Sequence, residues 1–190
     1  PASSIYWHFK DKDDLLAAVI DRSFETWLKV WKLPADGEPR ERVIGLAAQL
    51  AKGLLDNPDF LRLGLMLALE RRPVEPQARA RFLQSRAQAS ESLIEAMTEL
   101  APGLTDAQVR LLVNYAIAGA DGLFVAKQLG GDSVDLLELF EMHANAIYDA
   151  AQRMLTEREA AFLIGAVRAF EFPAASAMLP SLVPSARNAA

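Results

Sequence analysis

Residues 105–129, which read TDAQVRLLVNYAIAGADGLFVAKQL, decide the fold. Thr105 is followed three residues later by Gln108, the spacing of a capping box, in which two side chains satisfy free backbone amides at a helix start. Gly130 and Gly131 follow, and glycine commonly ends a helix. The stretch is therefore predicted to form one long α-helix of about seven turns.

Polar side chains occupy a narrow strip of this helix. Four of them lie within about 40° of one another at 100° per residue: Arg110, Asn114, Asp121 and Gln128. A helix that is apolar around so much of its circumference is buried on more than one side. We expect its own chain to cover one side and a partner chain another. The strip is either a solvated seam, or Asn114 and Asp121 point into a cavity.

The rest of the chain has the same helical character. Apolar residues recur every three or four positions within residues 16–31 and again within 43–54, as in amphipathic helices. Proline, glycine and capping residues divide the chain. The predicted fold class is all-α, a helical bundle. A short helix is expected to end near Phe9, and longer ones cover residues 11–31, 39–56, 58–72, 76–100, 105–129 and 132 to about 155 or beyond, with 157–170 as an additional candidate.

Capping residues predict where several helices begin. Asp11 is expected to cap the first long helix, and Asn57 the helix that begins at Pro58. Asp132 or Ser133 is expected to cap the helix after the glycine pair. Three prolines after residue 170 predict an irregular tail.

Composition excludes several classes of protein. The chain has 190 residues, 52% hydrophobic and 24% charged, which excludes a disordered chain. It has no cysteine, which excludes a disulfide scaffold, a thiolate zinc site and a cysteine nucleophile. With only His8 and His143, no multi-histidine metal site is expected within one chain, and no cofactor is predicted.

A cytoplasmic protein without a membrane partner is predicted from the uncharged stretches. The longest, residues 172–186, is shorter than the roughly 18 residues that a membrane-spanning helix needs. The first residues do not have the pattern of a charged and then apolar leader.

Residues 4–16 read SIYWHFKDKDDLL. An aromatic-x-His-Phe pattern, a Lys-x-Lys turn and a Leu-Leu pair follow one another there. In this order they resemble the end of the helix-turn-helix in the tetracycline-repressor family of transcriptional regulators. The resemblance implies that a recognition helix ends near Phe9, that a linker helix follows, and that two further helices precede Pro1. The remaining chain agrees with the family in architecture.

Side chains in this segment are suited to DNA contact. Ser3 and Ser4 lie where a recognition helix meets base edges, and tyrosine, histidine and lysine can contact phosphates. The predicted DNA-binding residues are Ser3, Ser4, Tyr6, Trp7, His8, Lys10 and Lys12. The alternative is an aromatic helix end in a core. The net charge of the whole chain, −5, by itself argues against broad nucleic-acid binding.

The last two long helices are expected to form a homodimer interface. Small residues on the first of them permit close helix contact, and the resemblance implies a four-helix interface with two helices from each chain. The predicted interface residues are Gly119, Gly122, Leu123, Ala126, Leu136, Phe140, His143, Ala144 and Ile147. The alternative is an internal hairpin in a monomer.

A ligand cavity is expected among the four central helices. Ligand pockets are mostly apolar with a few placed polar groups. Helix assignment and analogy with the family give the candidate ligand-binding residues Phe60, Leu63, Met66, Leu67, Phe82, Arg86, Met97, Asn114, Tyr115 and Ala118. The alternative is that these residues are plain core.

Enzyme chemistry has little support in the sequence. Asp11-Lys12-Asp13-Asp14 resembles the magnesium motifs of helical isoprenoid synthases, but no second cluster accompanies it, and a solvated helix start explains these aspartates. We find neither a Ser-His-Asp arrangement nor a glycine-rich phosphate loop.

The predicted organisation has three parts. Residues 1–31 are the end of a helix-turn-helix and a linker helix, 32–158 a ligand-binding and dimerisation domain, and 159–190 a C-terminal helix and tail. The predicted function is a ligand-responsive repressor that a small-molecule inducer releases from a palindromic operator. Its partners are operator DNA, the inducer and a second copy. The alternative is a helical, dimeric ligand-binding or interaction protein without DNA-binding activity.

Overall fold

The computed structural model describes residues 9–28, 32–70 and 76–171, and their side chains except those at 28 and 165–171. These residues form α-helices and a short 3-10 turn, Gly131–Ser133, and contain no strand. The all-α prediction is confirmed. The helices are α1 (Lys12–Leu28), α2 (Pro39–Asp56), α3 (Asp59–Leu69), α4 (Gln77–Leu100), α5 (Asp106–Gly130) and α6 (Leu136–Glu171).

Two of the predicted helix caps are confirmed. The backbone N–H of Asp14 donates to Asp11 Oδ1 at 2.9 Å, so Asp11 caps α1. At the start of α5, the N–H of Gln108 donates to Thr105 Oγ1 at 3.3 Å, and the N–H of Thr105 donates to Gln108 Oε1 at 3.0 Å. The reciprocal pair satisfies two amides that the first turn of a helix leaves without partners.

The predicted cap at Asn57 is wrong. The N–H of Asn57 donates to the Gly53 carbonyl oxygen at 2.9 Å, so Asn57 ends α2. The next helix, α3, begins at Asp59, directly after Pro58. It ends at Leu69, earlier than predicted, because the backbone of Glu70 is extended.

The last helix also differs from the prediction. Asp135, and not Asp132 or Ser133, caps α6, since its Oδ1 accepts the N–H groups of Leu137 at 2.9 Å and Glu138 at 3.1 Å. α6 continues beyond residue 155 to Glu171, without a separate helix over residues 157–170. Residues 155–159 contain neither proline nor glycine, so nothing in the local sequence ends the helix there.

An aromatic cluster joins α1, α3 and α4. The ring of Phe60 lies 5.2 Å from Phe24, 5.9 Å from Trp27 and 5.4 Å from Phe82, measured between centroids. All four side chains are buried. Gly64 of α3 lies directly against the Phe82 ring, so α3 and α4 pack unusually closely here.

Two aspartates of α1 form polar contacts with α4. The carboxylate of Asp13 accepts the N–H groups of Gln77 at 2.6 Å and Ala78 at 3.2 Å, two of the free amides at the start of α4. Farther along, Asp21 pairs with Arg81 at 3.8 Å. The start of α4 is thus held by the first turn of a different helix.

Arg40 connects the start of α2 to α6. Its guanidinium donates to Asn145 Oδ1 at 2.6 Å and pairs with Asp149. It also lies over the ring of Tyr148, 4.5 Å from the centroid. α2 is therefore held beside the part of α6 that follows residue 140.

Contacts divide the chain into two units, Pro1–Met154 and Leu155–Ala190. The features above belong to the first unit. In the second, the described side chains include Phe162, Leu163 and Ile164, which are exposed. The predicted domain boundaries after residues 31 and 158 remain predictions.

Candidate ligand cavity and exposed helix face

A cavity of about 140 Å³ lies inside the first unit, and all six helices contribute to its wall. Seventeen of its twenty lining residues are apolar. α1 to α3 contribute Trp27, Val43, Leu46, Ala47, Leu50, Leu54, Phe60 and Leu61, and α4 to α6 contribute Arg86, Ala89, Leu93, Met97, Ala116, Ile117, Ala120, Asp121, Phe140, His143, Ala144 and Ile147.

An ion pair forms one polar part of this wall. Arg86 of α4 and Asp121 of α5 meet through two parallel hydrogen bonds, Nη1 to Oδ1 at 2.9 Å and Nη2 to Oδ2 at 2.7 Å. The side chains are 28% and 24% exposed. The guanidinium also lies 5.6 Å from the centroid of the Phe82 ring. This paired geometry fixes both side chains at the cavity wall.

His143 of α6 is the other polar residue of the wall. Its Nε2 lies 3.0 Å from the carbonyl oxygen of Ala116 on α5. Its ring rests on Gly119, where a Cβ would lie 2.2 Å from Cε1. The Tyr115 ring lies 5.5 Å away between centroids. Glycine at position 119 therefore lets α6 approach α5 closely enough for this contact.

The predicted ligand-binding residues are divided between the cavity and the rest of the molecule. Phe60, Arg86 and Met97 line the cavity. Leu67 and Phe82 are buried in the core nearby, and Leu63 is half-buried. Four others are exposed and lie outside the wall, because they face away from the centre of the bundle: Met66, Asn114, Tyr115 and Ala118.

Sequence reasoning missed the contribution of α2 to the cavity. Val43, Leu46, Leu50 and Leu54 all line it. Their spacing of three and four residues was the available signal, since it identifies the apolar face of α2. The spacing does not say whether such a face meets a solid core or a cavity.

Several predicted interface residues lie inside the protomer. Leu136, Phe140, Ala144 and Ile147 are buried, and the last three line the cavity together with His143. α6 packs its apolar face against its own chain, so these four side chains are not part of the protomer surface. Leu123 and Ala126 are half-buried, and Gly122 is exposed with open space around it.

An apolar stripe runs along the exposed side of α5. Leu111, Tyr115, Val125 and Leu129 are 58%, 52%, 43% and 84% exposed. With Ala118 and Gly122, which are also exposed, they form a series at spacings of four and three residues. We call these six residues the α5 stripe. It borders a shallow groove whose other wall is on α6, formed by Ala146, Asp149, Ala150, Arg153 and Met154.

The polar strip of α5 has more than one environment. Asp121 lines the cavity. Arg110 is exposed and lies 3.4 Å from Glu91, and Gln128 accepts a hydrogen bond from Arg62 at 2.6 Å. Asn114 is exposed. The cavity interpretation therefore fits Asp121, and the solvated interpretation fits the others.

Most of the predicted DNA-binding residues lie outside the described residues, namely Ser3, Ser4, Tyr6, Trp7 and His8. Lys10 and Lys12 are described, and both are exposed beside the start of α1. Among the described side chains, no three histidine, aspartate or glutamate residues are grouped so that they could hold a metal ion.

Known proteins resemble part of this chain. Over 66 residues, it is 36% identical to HTH-type transcriptional repressors of two Mycobacterium tuberculosis strains and to an uncharacterized HTH-type transcriptional regulator of Mycobacterium bovis. The match covers 35% of this chain and 25% of each relative, so the chain spans about a quarter of the length of the curated relatives it matches. No protein-family profile matches the chain.

Proposed function

We propose that this chain is part of a DNA-binding transcriptional regulator of the tetracycline-repressor type, a dimeric repressor that a small molecule releases from its operator. The observation that carries the DNA-binding role is the partial identity to HTH-type repressors and an HTH-type regulator. Residues 4–16, with their resemblance to the end of a helix-turn-helix, support the same role.

The cavity supports the response to a ligand. It is apolar and carries a few fixed polar groups, the character of a small-molecule site. One wall residue, Trp27, belongs to α1, whose other end adjoins the proposed recognition helix. A ligand in the cavity would therefore touch the helix that leads to the DNA.

The α5 stripe supports the dimer. Large exposed apolar surfaces mark interaction sites, and the stripe continues over six positions of one helix. Residues 106–133 are also long and apolar enough to cross a membrane. We favour a second copy as the partner, because Asp121 in the middle of α5 pairs with the guanidinium of Arg86, and charged side chains inside a bilayer are costly.

The proposed mechanism is a change in the spacing of two recognition helices. In a dimer, these helices fit successive major grooves only when they lie about 34–36 Å apart. A ligand that tilts α1 would change this distance and weaken DNA binding. The coupling is reciprocal, so operator DNA weakens ligand binding by the same factor, typically about 5- to 150-fold.

The alternative function is a dimeric ligand-binding protein without a DNA role. The cavity and the α5 stripe fit this alternative equally well, since neither involves the residues before α1. DNA binding therefore separates the two functions.

The test is a selection of bound duplexes from random-sequence DNA, with the protein expressed from its complete gene. We expect enrichment of an inverted repeat whose half-sites lie about one helical turn apart, or a multiple of it. Competitor DNA without the repeat serves as the control. If the folded protein enriches no sequence even at low salt, where phosphate contacts are strongest, the repressor proposal is wrong and the alternative stands.

A further inference from the structure

We infer that the cavity selects a neutral, mostly apolar molecule of about one ring, which presents one hydrogen-bond acceptor to Arg86. This inference depends on the proposed function only for the role of the molecule as the effector. The binding preference follows from the residues of the cavity wall.

The size of the ligand follows from the free volume. Apolar cavities of about 150 Å³ hold a molecule the size of benzene, and this cavity has about 140 Å³. The aromatic side chains of Trp27, Phe60 and Phe140 are part of its wall. A single substituted ring fits this space.

The charge of the ligand follows from the ion pair. Arg86 and Asp121 neutralise one another through two hydrogen bonds, so this pair offers no net charge to a ligand. An anionic ligand at Arg86 would place a second negative charge beside Asp121, and a cationic ligand at Asp121 would place a second positive charge beside Arg86. Either ligand adds an uncompensated charge to a partly buried site, which is unfavourable. A neutral ligand avoids this cost.

The polar group of the ligand follows from the donors that remain. A guanidinium carries five N–H donors, and Asp121 occupies two of those on Arg86. The remaining three can donate to a carbonyl or ether oxygen. The same paired geometry holds the guanidinium in place, so the ligand meets a donor of fixed position.

Four probes of similar size separate these requirements: acetophenone, ethylbenzene, benzoate and benzylamine. Each is titrated into the purified protein by calorimetry at pH 7, without DNA. We expect acetophenone to bind about tenfold more tightly than ethylbenzene, the effect of one hydrogen bond to a charged donor. Benzoate and benzylamine, both charged at this pH, should bind at least about tenfold more weakly than acetophenone.

Variants of the pair should change the order of affinities. Asp121→Asn leaves the charge of Arg86 uncompensated, so benzoate should gain over acetophenone. The double variant Arg86→Met, Asp121→Leu has neither a charge nor a hydrogen-bond donor at either position, so acetophenone should lose its advantage over ethylbenzene. Circular dichroism is used to check that both variants retain the helical fold. The order of the four affinities in the wild type is a separate test that needs no variant.

The inference is overturned if a charged probe binds the wild type as tightly as acetophenone, or if none of the four probes binds. These outcomes are independent of the repressor proposal. A protein that selects an operator but shows the wrong order of probes has a different effector. One that shows the expected order but selects no DNA has this ligand preference and a different role.

Discussion

At the scale of single residues, two glycines allow helices to approach more closely than side chains would permit. One is Gly119 beneath His143, and the other is Gly64 beneath Phe82. A Cβ at Gly64 would lie 2.0 Å from Cε2 of the Phe82 ring, a separation that real Cβ atoms do not show. Since Phe82 is fully buried and its ring packs against that of Phe60, the ring has little room to move.

Gly64→Ala should therefore destabilise the protein by about 1–3 kcal/mol, as overpacking of a core does. Urea unfolding followed by circular dichroism measures the change. In a Phe82→Leu background, where the ring is gone, the same Gly64→Ala substitution should cost clearly less. Equal costs in the two backgrounds would mean that the Phe82 contact is not the cause.

At the scale of elements, local sequence predicts the start of a helix poorly where several neighbouring residues can serve as its N-cap. Thr105 and Gln108 form the predicted pair, and α2 has the predicted bounds, Pro39–Asp56. After the glycine pair, Asp132, Ser133 and Asp135 can all serve as caps. Asp132 and Ser133 belong to the 3-10 turn Gly131–Ser133, and Asp135 is the residue that caps α6.

Asp13 is an element-scale feature that no local pattern reveals, because it caps a helix 64 residues away. Asp13→Ala should lower the unfolding free energy by about 0.5–2 kcal/mol, the usual effect of losing a helix cap. Asp36→Ala, a change at an exposed loop aspartate, is the matched control and should have little effect. Chemical denaturation compares the two. Similar losses in both would contradict the capping role.

At the scale of the whole molecule, periodicity identifies apolar faces but not what covers them. The sequence places Phe140, Ala144 and Ile147 on one face of a helix and predicts that a partner chain covers that face. In the structure it closes the cavity of its own chain. The cavity itself depends on contributions from six helices, which no single helical pattern contains.

The proposed dimer should therefore depend on exposed residues of α5. Leu111→Arg or Val125→Arg should give a monomer at micromolar concentration, because an interface buries the new charge without a partner. Leu55→Arg on α2 is the matched control, since Leu55 is 40% exposed and Val125 is 43% exposed. Sedimentation equilibrium measures the mass. A wild-type protein that is already monomeric would contradict the dimer.

Five alanines stand in the cavity wall, on α2, α4, α5 and α6: Ala47, Ala89, Ala116, Ala120 and Ala144. Each marks a position where a longer side chain would reduce the cavity volume while Arg86 and Asp121 themselves are retained. Replacing one of these alanines with valine would make the cavity smaller, and replacing a leucine of the wall with alanine would make it larger, each in a small step. Descendants of this protein could thus diverge in the size of molecule they sense while inheriting the same chemical preference.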